Sequence, residues 1–383
     1  MPRHPALLKI LYLLLSAALL LPLVACNGKP QPVSFMVFGD PAEYAAYETL
    51  VNAFEGEHPE VDIELIHIPS QADYRKRLAA DLAAGTPADV VLINYRRYAQ
   101  FAVQGALEPL APYLAQSEII AEEDFYPQSI QPFTWNGQLM CIPQNLSSLV
   151  VYYNKNLFDA AGLSYPADDW TWTDFRHTAQ ALTLDLDGDG LIDQFGLGME
   201  PSLIRLAPFL WQAGAELVDD PVYPTSLALN SPEALRAAHF FVDLSVADHS
   251  VPDAEEEAAE ESEARFINGS MAMFLNSRRG VPTYREISSF EWDVAPMPQD
   301  AERASILHAD AYCLPAASEV KDAAWTFIEY ANSPAGQTVI AATGRTVPSL
   351  ISVAESPAFL DPQLAPANSQ VFLSELPYIR ALP

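Results

Sequence analysis

The sequence predicts an α/β protein of two lobes joined by a hinge, and three observations carry that expectation. Strand-like runs at Val33–Phe38, Val61–Ile68 and Asp89–Asn94 alternate with two helical patterns, the order that builds a parallel sheet with right-handed crossovers. The stretch Leu139–Lys155, LMCIPQNLSSLVVYYNK, reads as a strand, a polar break and a second strand with no helix between them. A chain that passes between two compact bodies in so few residues makes a hinge. Finally, the chain has 383 residues, 50% of them hydrophobic, enough for two cores; a single core rarely grows past about 250 to 300 residues.

Met1–Cys26 stands outside that fold. Arg3 and Lys9 give a basic start, Ile10–Val24 is almost wholly apolar, and the run is shorter than the roughly 20 residues of a membrane-spanning helix. Leu23-Val24-Ala25-Cys26 resembles the end of a lipoprotein signal, which implies residues 1–25 as a signal peptide and Cys26 as the acylated first residue of the mature chain. Residues 26–32, with two prolines, then serve as a tether to the outer side of the membrane.

Asp40-Pro41-Ala42-Glu43 opens a helix with an acidic cap, proline at the first position and glutamate three after the cap; Tyr44, Tyr47, Val51 and Phe54 line one face. Tyr74, Leu78 and Leu82 mark a second helix that Gly85 closes. Beyond the hinge come a strand at Leu149–Tyr153, a helix capped by Thr171, helices at Leu203–Ala213 and Pro232–Val246, and a buried strand at Met271–Leu275. Glu255–Glu263, with six glutamates, reads as a solvated helix face. Trp292–Pro298 is expected to return the chain to the first lobe, where Ala311–Leu314 is a strand followed by helices Val320–Ala331 and Pro334–Thr343. Gly344–Pro348 makes the third crossing. The boundaries are thus 33–144 with 297–346 for lobe 1, and 145–296 with 347–383 for lobe 2.

The segments IPQN, YYNKNLFDAAGL, WTWTDF, DLDGDGLIDQFG and GSMAMFLNS, in this order, resemble the sugar-type extracellular solute-binding proteins of bacterial ABC importers, the maltose-binding-protein-like family. The resemblance runs from Val33 to Pro348. It implies a type II periplasmic-binding-protein-like fold, each lobe a mostly parallel sheet flanked by helices, and a monomer that captures a small carbohydrate by hinge closure and delivers it to permease subunits. It also implies no catalysis, and several further helices after Ser349 that this chain does not show. Two other readings are a ligand-presenting co-receptor for a membrane sensor kinase and an extracytoplasmic glycoside-active enzyme.

In open α/β sheets ligands sit beyond the carboxyl ends of the strands. That places Asp40 and Tyr44 after the first strand, Asn94, Arg96 and Arg97 after the third, Asn145 and Ser147 in the hinge, Asn276, Arg278 and Arg279 after the second-lobe strand, and Asp310 on the return. Asp, Asn and Arg each engage two hydroxyls of a polyol at once. Where several family members place a stacking aromatic, this chain has Ser277-Arg278-Arg279. The pairs Arg96-Arg97 and Arg278-Arg279, one from each lobe, predict an anionic ligand such as a uronate or polyol phosphate. Trp170, Trp172 and Trp211 are tempting sugar platforms; Trp172 and Trp211 read better as core.

Asp185, Asp187, Asp189 and Asp193 fall at positions 1, 3, 5 and 9 of a calcium-type loop, with Gly190 at 6 and the Leu191 carbonyl at 7. Position 12 is Gly196 rather than glutamate, so structural Ca²⁺ and a plain Asp/Gly turn both fit. Catalytic patterns are missing: the histidines have no metal spacing with cysteine, no serine sits in a nucleophile elbow, and no glycine-rich phosphate loop is present. A formal charge of −30 argues against nucleic acid. Cys141 and Cys313 remain once Cys26 is acylated, either bridged or as two buried thiols.

Overall fold

The structure is a computed structural model that describes residues 31–221 and 223–383. The leader, Cys26 and most of the tether lie outside the described residues. Among those described, no helix is long and apolar enough to cross a membrane.

The first lobe is built on a five-stranded sheet in the order Val61–Ile68, Gln31–Phe38, Val90–Asn94, Asp310–Cys313, Cys141–Pro143. Its first three strands are parallel; Asp310–Cys313 runs antiparallel to both of its neighbours. Helix Pro41–Glu57 forms where expected, because the Asp40 side chain accepts from the Glu43 amide at 2.9 Å. Tyr47, Leu50, Val51 and Phe54 bury its inner face. Gly85 closes the second helix, Gln71–Ala84, in the left-handed region at φ 71°. The Cys141–Cys313 bridge is formed across a register pair of the two antiparallel strands, at the end away from the crossings.

The second sheet has four strands, ordered Trp292–Ala295, Val150–Asn154, Met271–Asn276, Phe195–Gly198. In each sheet a single strand, Asp310–Cys313 in the first and Val150–Asn154 in the second, runs against the others, so both are mostly parallel as expected. Trp170, Trp172 and Trp211 are all buried in this lobe's core, Trp172 stacked on Phe240 at 4.3 Å.

Two boundaries need correction. Trp292–Ala295 was expected to carry the chain back, yet it pairs with Val150–Asn154 as an ordinary strand of the second sheet. Met297, Ala304 and Ile306 stay in the second core, and Asp310 is the first residue of the segment to pair with the first lobe's sheet, opposite Asn94. Prolines at 296 and 298 look like a break, but here they only end a strand. The segment after Ser349, read as lacking helices, forms short helices Ile351–Ala354, Pro357–Leu360 and Gln370–Ser374, and a strand, Ile379–Arg380, beside Ser305–Ile306. Val353, Phe359, Val371 and Phe372 are buried by that packing.

Candidate functional site

Three crossings lie side by side at the hinge. Ser147 and His308 exchange backbone hydrogen bonds at 2.7 and 2.8 Å, and the Leu146 amide donates to the Val347 carbonyl at 3.1 Å. Beside them the carboxyl ends of both sheets face a cavity of about 440 Å³, within the range of small-molecule sites.

On the first-lobe side, the Phe38 strand ends at Gly39, whose φ of 131° suits glycine. A Cβ there would lie 1.7 Å from Glu43 Oε2, so the glycine also makes room for that carboxylate. Arg345, from the third crossing, donates from Nη1 to Asp40 Oδ2 and from Nη2 to Glu43 Oε2, each at 2.8 Å. Burial raises the Asp40 carboxyl, but the Glu43 amide and Arg345 outweigh it and hold the group below its usual range. For Glu43, burial wins over Arg345 and pushes the carboxyl up to about 7. Asn94 caps helix Tyr95–Ala102 and donates from Nδ2 to Asp310 Oδ1 at 3.1 Å. Burial raises the Asp310 carboxyl, while Asn94, Arg96 and Asn145 pull it down.

On the second-lobe side, Asn276 ends its strand with Nδ2 donating to Tyr284 Oη at 2.8 Å, and its Oδ1 accepts from Arg205 Nη2 at 3.4 Å. Arg279 and Glu200 complete that wall. His308 sits at the junction, where burial, reinforced by Arg205, Arg96 and Arg279, drives its imidazole down to about 3. It is neutral at any physiological pH.

Of the residues expected in the cleft, Asp40, Asn94, Arg96, Asn145, Ser147, Asn276, Arg279 and Asp310 line it. Three do not. Tyr44 points away and stacks on His67 at 4.6 Å. Arg97 follows the helix turn into an adjoining depression with Arg75 and Lys76, outside the cleft itself. Arg278 is 1% exposed: a single 3-10 turn, Arg278–Gly280, sends it inward between Phe359 and Phe372, donating to Gly344 O and Ser369 Oγ. Sequence reasoning missed Glu43, Glu200, Arg205, His308 and Arg345 as lining residues. Glu43 carried a signal, one helical turn past a strand end; Arg205 lies within a helix and gave none.

In the Asp185–Asp193 loop, Asp185, Asp187 and Asp193 offer oxygens within 4.8 Å of one another. Asp189 is not in that group. Asp185 accepts from the Gly188 and Gly190 amides at 2.7 and 2.9 Å, Asp193 from Leu186 at 2.7 Å, and Asp187 and Asp189 each from the amide two residues on. A Ca²⁺ loop and a plain Asp/Gly turn both use such bonds, and the Leu191 side chain is exposed.

Two sheets whose strand ends converge on one polar cleft beside three adjacent crossings define a binding protein that holds a solute between its lobes. The chain belongs to the bacterial extracellular solute-binding protein family, whose model matches residues 39–338. It is 25% identical over 338 residues to the mannitol-binding protein of Pseudomonas aeruginosa, covering 86% of this chain and 74% of that one. It is also 25% identical, over 271 residues, to the sn-glycerol-3-phosphate-binding periplasmic protein UgpB of Escherichia coli, covering 67% of this chain and 58% of UgpB. Among solved structures, the ABC substrate-binding protein Lmo0181 of Listeria monocytogenes, in complex with cycloalternan, shares the two-lobe fold with a TM-score of 0.83. That match is at 23% identity over 92% of this chain and 88% of that one.

Proposed function

We propose that this protein is the extracytoplasmic capture subunit of an ABC importer, a monomer anchored through an acylated Cys26 that closes its lobes on a small carbohydrate or polyol and presents it to the permease. The observation that carries this reading is the cleft, where Asp40, Asn94, Asn145 and Asp310 from one side face Asn276, Arg205 and Arg279 from the other. Such groups engage adjacent hydroxyls in pairs, and they meet a ligand from both sides only when the lobes close. Relatives named for mannitol and sn-glycerol-3-phosphate support the solute class. Closure changes the surface offered to the permease, so occupancy can be signalled without any chemistry.

The test is a calorimetric and thermal-shift screen of hexitols, hexoses, disaccharides and their acidic or phosphorylated forms. At least one is expected to bind, and Asp310→Ala and Asn276→Ala are each expected to weaken it roughly tenfold or more, about 1.4 kcal/mol. No heat and no shift with any of them would overturn the assignment. For the anchor, Cys26→Ser is expected to abolish fatty-acid labelling, and label retained on that variant would remove it.

A further inference from the structure

We infer that the solute carries a carboxylate or phosphate held by Arg205 and Arg279 of the second lobe together with Arg96 of the first. This deepens the proposed capture function and rests on it. The four arginines of the cleft divide sharply by what they already hold. Arg345 is saturated, with both terminal nitrogens at 2.8 Å from carboxylates. The other three are not.

Arg205 keeps only 11% of its side chain exposed, and its buried Nε has no hydrogen-bond partner among the described residues. Its nearest carboxylate, Glu200, is 3.9 Å away and 66% exposed. The ion pair of Arg279 is with Glu263 at 3.8 Å, and Glu263 already accepts from Tyr284 Oη at 2.6 Å. Arg96 directs Nε to the amide oxygen of Asn94 and makes no ion pair among the described residues. All three lie close enough to His308 to disfavour a charge there, and Arg205 and Arg279 repel one another. Several guanidinium groups of one sign, one of them largely desolvated, are unfavourable together unless a negative charge joins them. Chance is a poor account of such a cluster in a chain with 20 basic residues against 50 acidic ones.

Beside Arg96, which bonds Asn94, the first lobe also brings Asp310, Asn94 and Asn145, whose oxygens and amides suit neutral hydroxyls. The cleft therefore joins hydroxyl-binding groups to arginines, matching a polyol or sugar with an acidic terminus. Planar guanidinium forks take carboxylate or phosphate oxygens bidentately, and one from each lobe makes the anion a bridge that favours closure.

The experiment is calorimetric titration of matched ligands: glycerol and sn-glycerol 3-phosphate, mannitol and mannitol 1-phosphate, glucose and glucuronate. The acidic member of at least one pair is expected to bind at least about 30-fold tighter than its neutral partner. Arg279→Ala, at an exposed side chain that will not compromise folding, and Arg96→Ala are each expected to bring that ratio down at least about tenfold. Arg97→Ala, outside the cleft, is expected to leave it unchanged. The phosphate and uronate arms tell which anion the arginines take. A neutral member that binds as tightly as its acidic partner, with a ratio indifferent to Arg279→Ala and Arg96→Ala, overturns the inference and leaves the capture function standing. Binding of none of the six, with none in the wider screen, overturns both.

Discussion

Arg278 is sandwiched with its guanidinium 4.2 Å from the Phe359 ring centre and 4.9 Å from that of Phe372, and burial lowers it to about 9. Its hydrogen bonds reach the third crossing at Gly344 and the C-terminal segment at Ser369, so it fastens both to the second lobe. Arg278→Ala should therefore cost about 2 to 4 kcal/mol in denaturant unfolding, through a cavity and an orphaned carbonyl. A loss under about 0.5 kcal/mol, the scale of a surface change, would contradict this. Nothing in Asn-Ser-Arg-Arg-Gly distinguishes the buried arginine from the exposed one beside it. A strand-end rule locates both near the cleft, but a 3-10 turn sends successive side chains in different directions, and only tertiary packing reveals which. Glu43 yields a second prediction at this scale. Its carboxyl titrates near 7 when folded against about 4.5 otherwise, so the folded chain binds the additional proton within that window. Its contribution is full below about pH 4.5 and is lost as pH rises through 7, amounting to a few kcal/mol at most. Asp40, Asp310 and Arg345 act on the same group. Melting temperature should fall between about pH 5 and pH 8, and Glu43→Gln should flatten that fall. Equal slopes in the two proteins would show that Glu43 is not its source.

Cys141 and Cys313 join the strands by which the chain leaves and re-enters the first lobe, 172 residues apart in sequence. Closing so long a loop restricts the unfolded chain, by about 2 to 4 kcal/mol in typical cases. The double variant Cys141→Ala/Cys313→Ala should lose that amount in denaturant unfolding; an unchanged midpoint would mean the bridge contributes nothing. Spacing alone left bridge and free thiols equally open, because the pairing depends on Asp310–Cys313 lying antiparallel beside Cys141–Pro143. Where an element carried local signals it was readable: the caps at Asp40 and Thr171 both begin helices, and Gly85 ends one. Phe195–Gly198 shows the opposite case. Two glycines in four residues argue against a strand, yet Gly196 and Gly198 are needed because a Cβ would meet Ala179 O at 1.9 Å and Met271 Sδ at 2.1 Å. The return crossing was misplaced for a related reason, since proline ends a strand whichever lobe the chain enters next.

At the scale of the whole molecule, the hinge is stiff on one side. Gln144 is buried and donates to Tyr312 Oη at 2.7 Å and Tyr47 Oη at 3.1 Å, fixing the first crossing to the first lobe. Gln337 Nε2 reaches the Gln144 carbonyl at 3.2 Å and Ser349 Oγ at 2.6 Å, binding the first crossing to the third. In the proposed closure, bending falls to the second-lobe side of the crossings, where few dihedrals have to change. A ligand that touches both walls stabilises the closed arrangement only by its difference in affinity for the two states. Small-angle scattering should then show a smaller radius of gyration at saturating ligand than without it. The same ligand at about 100 times its Kd should add roughly 2.7 kcal/mol to unfolding. Asp310→Ala, which removes a first-lobe contact and leaves the crossings intact, should require more ligand to reach the same contracted state. Scattering curves that superimpose with and without bound ligand, while the stability gain persists, would mean that the solute enters a cleft already closed, and hinge closure would have to be abandoned.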